Sequence, residues 1–312
     1  MLLLEISELH SQPLLGGFAL QQISWQQQVQ EKVALIGETG SGKSTLLKII
    51  AGFTQAASGT ILFEGKKVLG PNYQLIAGEE GMAYLSQHYE LRHNYKMSDL
   101  LALRNDMTEE ESAELFALCK IDHLLARNSK QLSGGEQQRI ALACLLVRKP
   151  RLLILDEPFS NLDAIHKAEL KAVINSVAER YGTSLILASH DANDVLPWAD
   201  KIVVLQKGEI VQVGTSKDVF DNPANDYTAA LLGAYNKLSC SLAKALGIET
   251  DNAFVYTRPH VFQITSGSGL EAIVKACQYF GTHYQLTLEC QAETLVLLHD
   301  NELQVGAKVT LT

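Results

Sequence analysis

The stretch Gly37-Glu38-Thr39-Gly40-Ser41-Gly42-Lys43-Ser44-Thr45 restricts what this chain can fold into more than any other. It fits the pattern G-x-x-x-x-G-K-[ST] and follows the apolar run Val33-Ala34-Leu35-Ile36, which reads as a parallel strand buried on both faces. Behind it, Leu46, Leu47, Ile49 and Ile50 have helical spacing, and Gly52 ends the helix. A strand, a glycine-rich turn and a helix in that order let backbone amides wrap a polyphosphate. Lys43 then reaches the β- and γ-phosphates, and the Ser44 hydroxyl holds Mg²⁺.

A second anion-binding feature lies in Gln131-Leu132-Ser133-Gly134-Gly135-Glu136-Gln137-Gln138-Arg139. Ser133 with Glu136 three residues on is a capping box, so a helix starts here with its first amides pointing outward. Gly134 and Gly135 have no side chains to keep a phosphate from those amides and from the positive end of the helix dipole. An ordinary capped surface helix fits the segment equally well.

Arg151-Leu152-Leu153-Ile154-Leu155-Asp156-Glu157-Pro158 reads as another buried strand, ending in paired carboxylates. An acid at that place in a phosphate-loop protein holds the metal, a role that falls to Asp156. Burying a second carboxylate beside it without purpose is costly, so Glu157 is the candidate for polarising an attacking water. Ser189 and His190 follow the strand Ser184–Ala188 at the edge where open α/β sheets place ligands, making His190 a candidate γ-phosphate contact.

Between these motifs, Thr60–Gly65 reads as part of a hairpin, and Gly81–Gln87 as a strand with Gln87 after it. From about residue 96 the period is helical, with a second capping box at Thr108 and Glu111 and an inward face of Leu115, Phe116, Leu118 and Cys119. A helix is expected over 164–181, a hairpin over 201–213, and a helical tail around 218–232.

At 312 residues the chain has room for two domains. No apolar run is long enough to span a bilayer, and Met1–Glu5 lacks the features of a signal peptide, so a cytosolic protein is expected. Five cysteines without a CxxC pair argue for reduced thiols. A formal charge of −9 disfavours nucleic acid and anionic membranes as direct partners.

In this order the motifs of residues 1 to about 235 closely resemble the nucleotide-binding domain of ATP-binding cassette transporters. On that resemblance Gly37–Thr45 corresponds to Walker A, Gln87 to the Q-loop, Leu132–Arg139 to the signature, and Leu152–Glu157 to Walker B. Ser160–Asp163 corresponds to the D-loop and His190 to the H-loop. The resemblance implies a P-loop NTPase fold: a RecA-like parallel sheet core, an antiparallel β subdomain and a helical subdomain over about 88–150. It also implies ATP and Mg²⁺ as ligands, with Gln87 at the metal and Asp163 beside the nucleotide. Ser133 to Glu136 then face the phosphate of a second copy of the chain. Pro13 stands where the family places an aromatic residue for adenine, and Phe18 and His10 are the rings near it in sequence.

Residues 236–252 read as a linker with some helix, and 253–312 as short alternating strands suggesting a small all-β, OB-like barrel. Some such barrels bind single-stranded nucleic acid, but 241–312 holds 4 basic against 7 acidic residues. Arg258-Pro259-His260 and the barrel resemble the TOBE accessory domain of importer ATPases. The expected partners are therefore a second copy, separate permease subunits touched near Arg92, and indirectly a substrate-binding protein, at the inner face of the membrane. An exporter ATPase shares the motifs. A soluble cassette ATPase acting on ribosomes or DNA is a further alternative, without the tandem cassettes or long insertion such proteins carry.

Overall fold

The computed structural model describes residues 1–13, 18–87, 91, 95–160 and 162–312; Arg92 with its neighbours and Asn161 lie outside the described residues. The chain divides into two compact units, Met1–Ser216 and Lys217–Thr312.

The first unit opens with β1 (Leu2–His10), β2 (Ile23–Gln28), β3 (Lys32–Ile36), α1 (Lys43–Ile50), β4 (Ser58–Phe63), β5 (Lys66–Lys67) and β6 (Met82–Leu85). It continues through α2 (Met97–Ala102), α3 (Glu109–Leu118), α4 (Gly134–Leu146), β7 (Leu152–Asp156), α5 (Ala164–Tyr181) and β8 (Ser184–Ser189). The short α6 (Ala192–Val195) and the hairpin β9 (Lys201–Gln206) and β10 (Glu209–Thr215) complete it.

These strands form two sheets, an antiparallel β2-β1-β4-β5 and a larger β10-β9-β3-β8-β7-β6 in which only β10 runs antiparallel. Every residue of β7 and β8 is buried, as are Val33 to Ile36 of β3, so these strands have no polar face to turn to water. Helix α1 fills the space between the sheets. Its Leu46, Leu47, Ile49 and Ile50 share one core with Leu4, Ile6, Ile61 and Phe63 of the smaller sheet and Ile154, Ile186 and Val203 of the larger. Each such side chain contributes about 1.5–3 kcal/mol by leaving water.

Helices α2 to α4 form the expected helical lobe between β6 and β7. Thr108 caps α3 by accepting from the Glu111 amide (3.2 Å), while Glu111 accepts from the Thr108 amide (2.8 Å). Leu115 and Cys119 are buried, whereas Phe116 and Leu118 are only half covered. Among the described residues no helix is long and apolar enough to cross a membrane.

The second unit takes in most of α7 (Ser216–Asp221), then α8 (Asp226–Leu231), β11 (Asn236–Ser239), α9 (Cys240–Ala245), β12 (Phe254–Thr257), β13 (Ile264–Thr265), β14 (Leu270–Tyr279), β15 (Tyr284–Cys290), β16 (Glu293–His299) and β17 (Lys308–Leu311). Two expectations change here. Residues 236–252 are not a linker: β11 pairs with β12, and Leu238, Leu242 and Ala243 lie in the core of this unit. The helical tail near 218–232 belongs to this unit as well, because Arg258 gathers it. The Arg258 guanidinium donates to the carbonyls of Phe220 (2.9 Å), Ala229 (3.0 Å), Gly233 (3.2 Å) and Ala234 (3.1 Å) and lies 4.2 Å over the Phe220 ring.

The main sheet, β13-β17-β14-β15-β16, is an open, curled version of the expected barrel. On its β16 edge, Val296 is met by a side chain. Asn236 donates to the Val296 carbonyl (2.9 Å) and accepts from the Val296 amide (2.6 Å), as a neighbouring strand would.

Because Arg258 is buried and serves four carbonyls, Arg258→Leu is expected to destabilise this unit by about 3 kcal/mol. Denaturant unfolding measures the loss, and hydrogen exchange should locate it as faster exchange over residues 217–235.

Candidate active site

The strand register brings the chemistry to one edge. Ile36 pairs with Ser189, Asp156 with Ala188, and Leu85 with Leu155, so the carboxyl ends of β3, β8, β7 and β6 finish side by side. From that edge emerge the glycine-rich loop, His190, the carboxylate pair and Gln87.

Gly37 must be glycine, since a Cβ there would lie 2.3 Å from the Leu205 carbonyl oxygen. Gly40 (φ +83°) and Gly42 (φ +107°) adopt the left-handed conformation that bends the loop back toward α1. The first helical bond of α1 runs from the Leu46 amide to the Gly42 carbonyl (2.9 Å), so the amides of Lys43, Ser44 and Thr45 face the loop, as at any helix start. Glu38, Thr39 and Gly40 are exposed.

Lys43 is buried, with Nζ donating to the carbonyls of Gly37 (2.7 Å) and Glu38 (3.0 Å) and lying 3.8 Å from Glu157 Oε1. Burial lowers its pKa from the ordinary lysine value, and the Glu157 and Asp156 charges oppose that shift. Asp156 is also buried. Its Oδ1 accepts from Ser44 Oγ (3.0 Å) and its Oδ2 from the Tyr84 hydroxyl (2.8 Å). Burial and the Asp156 charge push the Tyr84 phenol far above the usual tyrosine range, so it stays a donor.

Glu157 leaves the strand with φ at +48°, a strained conformation for a non-glycine residue, while its amide still bonds the Ala188 carbonyl (3.1 Å). The turn sets its carboxylate between Lys43 and His190, with Oε2 3.2 Å from His190 Nδ1. His190 is itself placed from behind. Lys167 and Lys171 of α5 both contact the buried Asp194, and Asp194 accepts from Ser189, the residue before His190. Gln87 leaves the same edge two residues beyond β6, with no hydrogen bond to Asp156 or Ser44 among the described residues.

The residues Ser133 to Glu136 form a separate group. Ser133 Oγ accepts from the Glu136 amide (3.3 Å) and Glu136 from the Ser133 amide (2.7 Å), completing the capping box. The Ser133 amide holds the Glu136 carboxyl below its ordinary pKa. Nothing within 4 Å would meet a Cβ on Gly134, and the His166 ring lies 3.4 Å from where one would sit on Gly135. His166 also bonds Asp163, the exposed cap of α5, through its amide (2.9 Å) and Nδ1 (2.8 Å). Buried Gln138 donates to the Pro158 carbonyl, fastening α4 to the turn after Glu157. Among the described residues no hydrogen bond or ion pair joins Ser133 or Glu136 to the 37–45 loop.

Sequence reasoning missed Tyr84, His166, Gln138 and Lys167. Tyr84 looked like one more residue of an apolar strand, and a polar hydroxyl within that strand was the only available signal.

The residues fit a magnesium nucleotide. Ser41 Oγ is buried without a partner beside the Gly37 turn, and the amide-lined loop has the shape and polarity of a phosphate cradle. Ser44 and Asp156 supply hard oxygen donors, which suit Mg²⁺, an ion that takes one or two protein ligands and completes its shell with phosphate and water. Fold and site together define a phosphate-loop nucleotide hydrolase.

Residues 20–160 match the family model described as ABC transporter, and residues 255–312 match the TOBE domain model. The sulfate/thiosulfate import ATP-binding protein CysA of Pseudomonas syringae is 37% identical over 253 residues, covering 78% of this chain and 74% of that protein. The glucose import ATP-binding protein GlcV of Saccharolobus solfataricus is 35% identical, covering 73% and 70%. Among solved structures, cbiO1 from Clostridium perfringens, part of the cbiONQ ABC transporter complex, superposes with a TM-score of 0.60 at 26% identity, covering 70% of this chain and 90% of that one. The chain belongs to the ABC transporter family, as an ATP-hydrolysing subunit of the importer type with a TOBE domain.

The two glycines separate close approach from backbone conformation. Gly37→Ala is expected to lower nucleotide affinity at least tenfold, because its methyl meets the Leu205 carbonyl. Gly40→Ala meets nothing within 4 Å and should cost only about 1–2 kcal/mol of left-handed strain. Fluorescent-nucleotide binding with thermal melting on both variants checks this.

Proposed function

We propose that two copies of this chain associate head to tail, each completing the other's ATP site, and that closure of the pair drives a separate membrane permease. The observation carrying this reading is the split described above. Lys43, Ser44, Asp156, Glu157 and His190 form one group, while the capping box of Ser133 and Glu136 opens a second, exposed helix start, and among the described residues no hydrogen bond or ion pair joins Ser133 or Glu136 to the loop. A helix start lined by two glycines offers its amides and the positive end of its dipole to an anion, and in the proposed pair the second copy of the chain brings a phosphate to it.

Within each site, Lys43 and the loop amides bind the β- and γ-phosphates. Ser44 and Asp156, with Gln87 at the same edge, hold Mg²⁺, which when bound neutralises phosphate charge. Glu157 takes a proton from the attacking water at a carboxylate oxygen, and His190 fixes that carboxylate and contacts the γ-phosphate. The partner's Ser133 hydroxyl and Gly134–Gly135 amides add donors to the same phosphate, with Asp163 beside them. Phe18 is the candidate ring for adenine. It is exposed and stands two residues before Leu20, whose side chain would lie 2.9 Å from a Cβ on Gly42.

The similar proteins are named as import ATP-binding proteins, for sulfate/thiosulfate and for glucose, which supports work with separate permease subunits in import; a place at the inner face of the membrane and an external substrate-binding protein complete the reading. They differ in what they import, and the transported solute is chosen by those other components.

Glu157→Gln should bind ATP, turn over at least a hundredfold more slowly, and accumulate as a dimer in size-exclusion chromatography with ATP. Wild-type turnover would remove Glu157 from the mechanism. Ser133→Arg should abolish hydrolysis while nucleotide binding to the monomer stays nearly intact. Normal hydrolysis by that variant would sink the paired-site reading.

A further inference from the structure

Asp156 takes a donor on each oxygen: Ser44 on Oδ1 and Tyr84 on Oδ2. The two donors arrive from different elements. Ser44 comes from the first turn of α1, where the sequence motif requires it. Tyr84 stands in the middle of β6, paired with Ile154, so it shares a sheet face with Asp156 two residues further along β7. Its ring packs against Phe53, with centroids 5.7 Å apart, and its hydroxyl bonds Asp156.

We propose that Tyr84 is a positioning residue for the metal: its hydroxyl locks the Asp156 carboxylate so that Oδ1, the oxygen shared with Ser44, is the one offered to Mg²⁺. This rests on reading Asp156 as the metal-holding carboxylate. A carboxylate turns readily about its terminal torsion, which has broad preferences. Mg²⁺ demands near-octahedral geometry at short distances, so a ligand free to turn binds it less well than one already aimed. Apolar packing in β6 calls only for a ring or an aliphatic chain; the hydroxyl adds a donor for a buried oxygen that would otherwise be costly to leave unpaired.

The test is Tyr84→Phe, which removes one oxygen and keeps the ring. Mg²⁺ is titrated into the full chain holding a fluorescent ATP analogue, and nucleotide affinity is also measured in EDTA. The half-saturating Mg²⁺ concentration should rise about tenfold, the loss of one hydrogen bond to a charged group, with affinity in EDTA unchanged. In hydrolysis the effect should fall on the Mg²⁺ requirement more than on the limiting rate. Unchanged Mg²⁺ dependence would overturn the proposal, and so would an equal loss of affinity with and without metal alongside a lowered melting temperature, the mark of a packing role only. If the Phe chain does not fold, Tyr84→Met gives the same reading. Asp156→Asn is measured in parallel. If its Mg²⁺ dependence is normal, the metal role of Asp156 falls; if it shifts and Tyr84→Phe does not, only the role of Tyr84 falls.

Discussion

The parallel pairing of β3, β8 and β7 is the interaction on which the rest of the site depends. Its three strands are held in register by burial on both faces, and that register puts Ile36, Ser189 and Asp156 at one edge. The candidate polar groups sit at or just past the last buried residue of each strand: Asp156 ends β7, and Glu157 and His190 follow β7 and β8. A one-residue slip of β7 would turn Asp156 to the opposite face and away from Ser44. Apolar packing along the strands thus sets the distances among the charged groups at their ends.

The same edge explains how two carboxylates and a lysine sit together out of water. Lys43 is shared among two backbone carbonyls and Glu157, Asp156 between two hydroxyls, and Glu157 between a lysine and a histidine. Burial nonetheless disfavours the charged form of Lys43. A polyphosphate entering the loop adds further negative charge beside this desolvated cation, so the desolvation already imposed by the fold strengthens binding. The left-handed turn at Glu157 serves the same arrangement, because it redirects a carboxylate without giving up the strand's bond to Ala188.

The parts legible in the sequence were those written in short-range chemistry. The 37–45 loop, the capping boxes at Thr108 and Ser133, the carboxylate pair and the span of α5 each follow from neighbouring residues, and the structure reproduces their local form. Contacts joining distant segments were not legible: Tyr84 on Asp156, His166 against Gly135, Gln138 on Pro158, and Lys167 with Lys171 around Asp194. The segment 217–252 was misread for the same reason. Its helices and strand are short and mixed in polarity, and what assigns them to the second unit lies further along the chain: Arg258 for the helices before 235, and pairing with β12 and the core around Leu238 and Leu242 for the rest. The alternation of Tyr284 to Cys290 suggested a small barrel, whereas the sheet is open, and the contact of Asn236 with Val296 at its β16 edge is one that no alternation announces.

Two of those distant contacts bear on how hydrolysis couples to movement. Gln138 ties the helix that begins at Ser133–Glu136 to the turn following Glu157, and the ring of His166, which bonds Asp163 at the cap of α5, lies beside Gly135. From α5, Lys167 and Lys171 reach Asp194 and, through Ser189, the approach to His190. In the proposed reading the helix start at Ser133 is therefore linked, through Gln138 and α5, to Glu157 and to the approach to His190 of its own chain. In the proposed pair, a change at Glu157 or His190 when the γ-phosphate is cleaved reaches the cap that holds the partner's phosphate. On that reading the two proposed sites have a physical reason to open and close together.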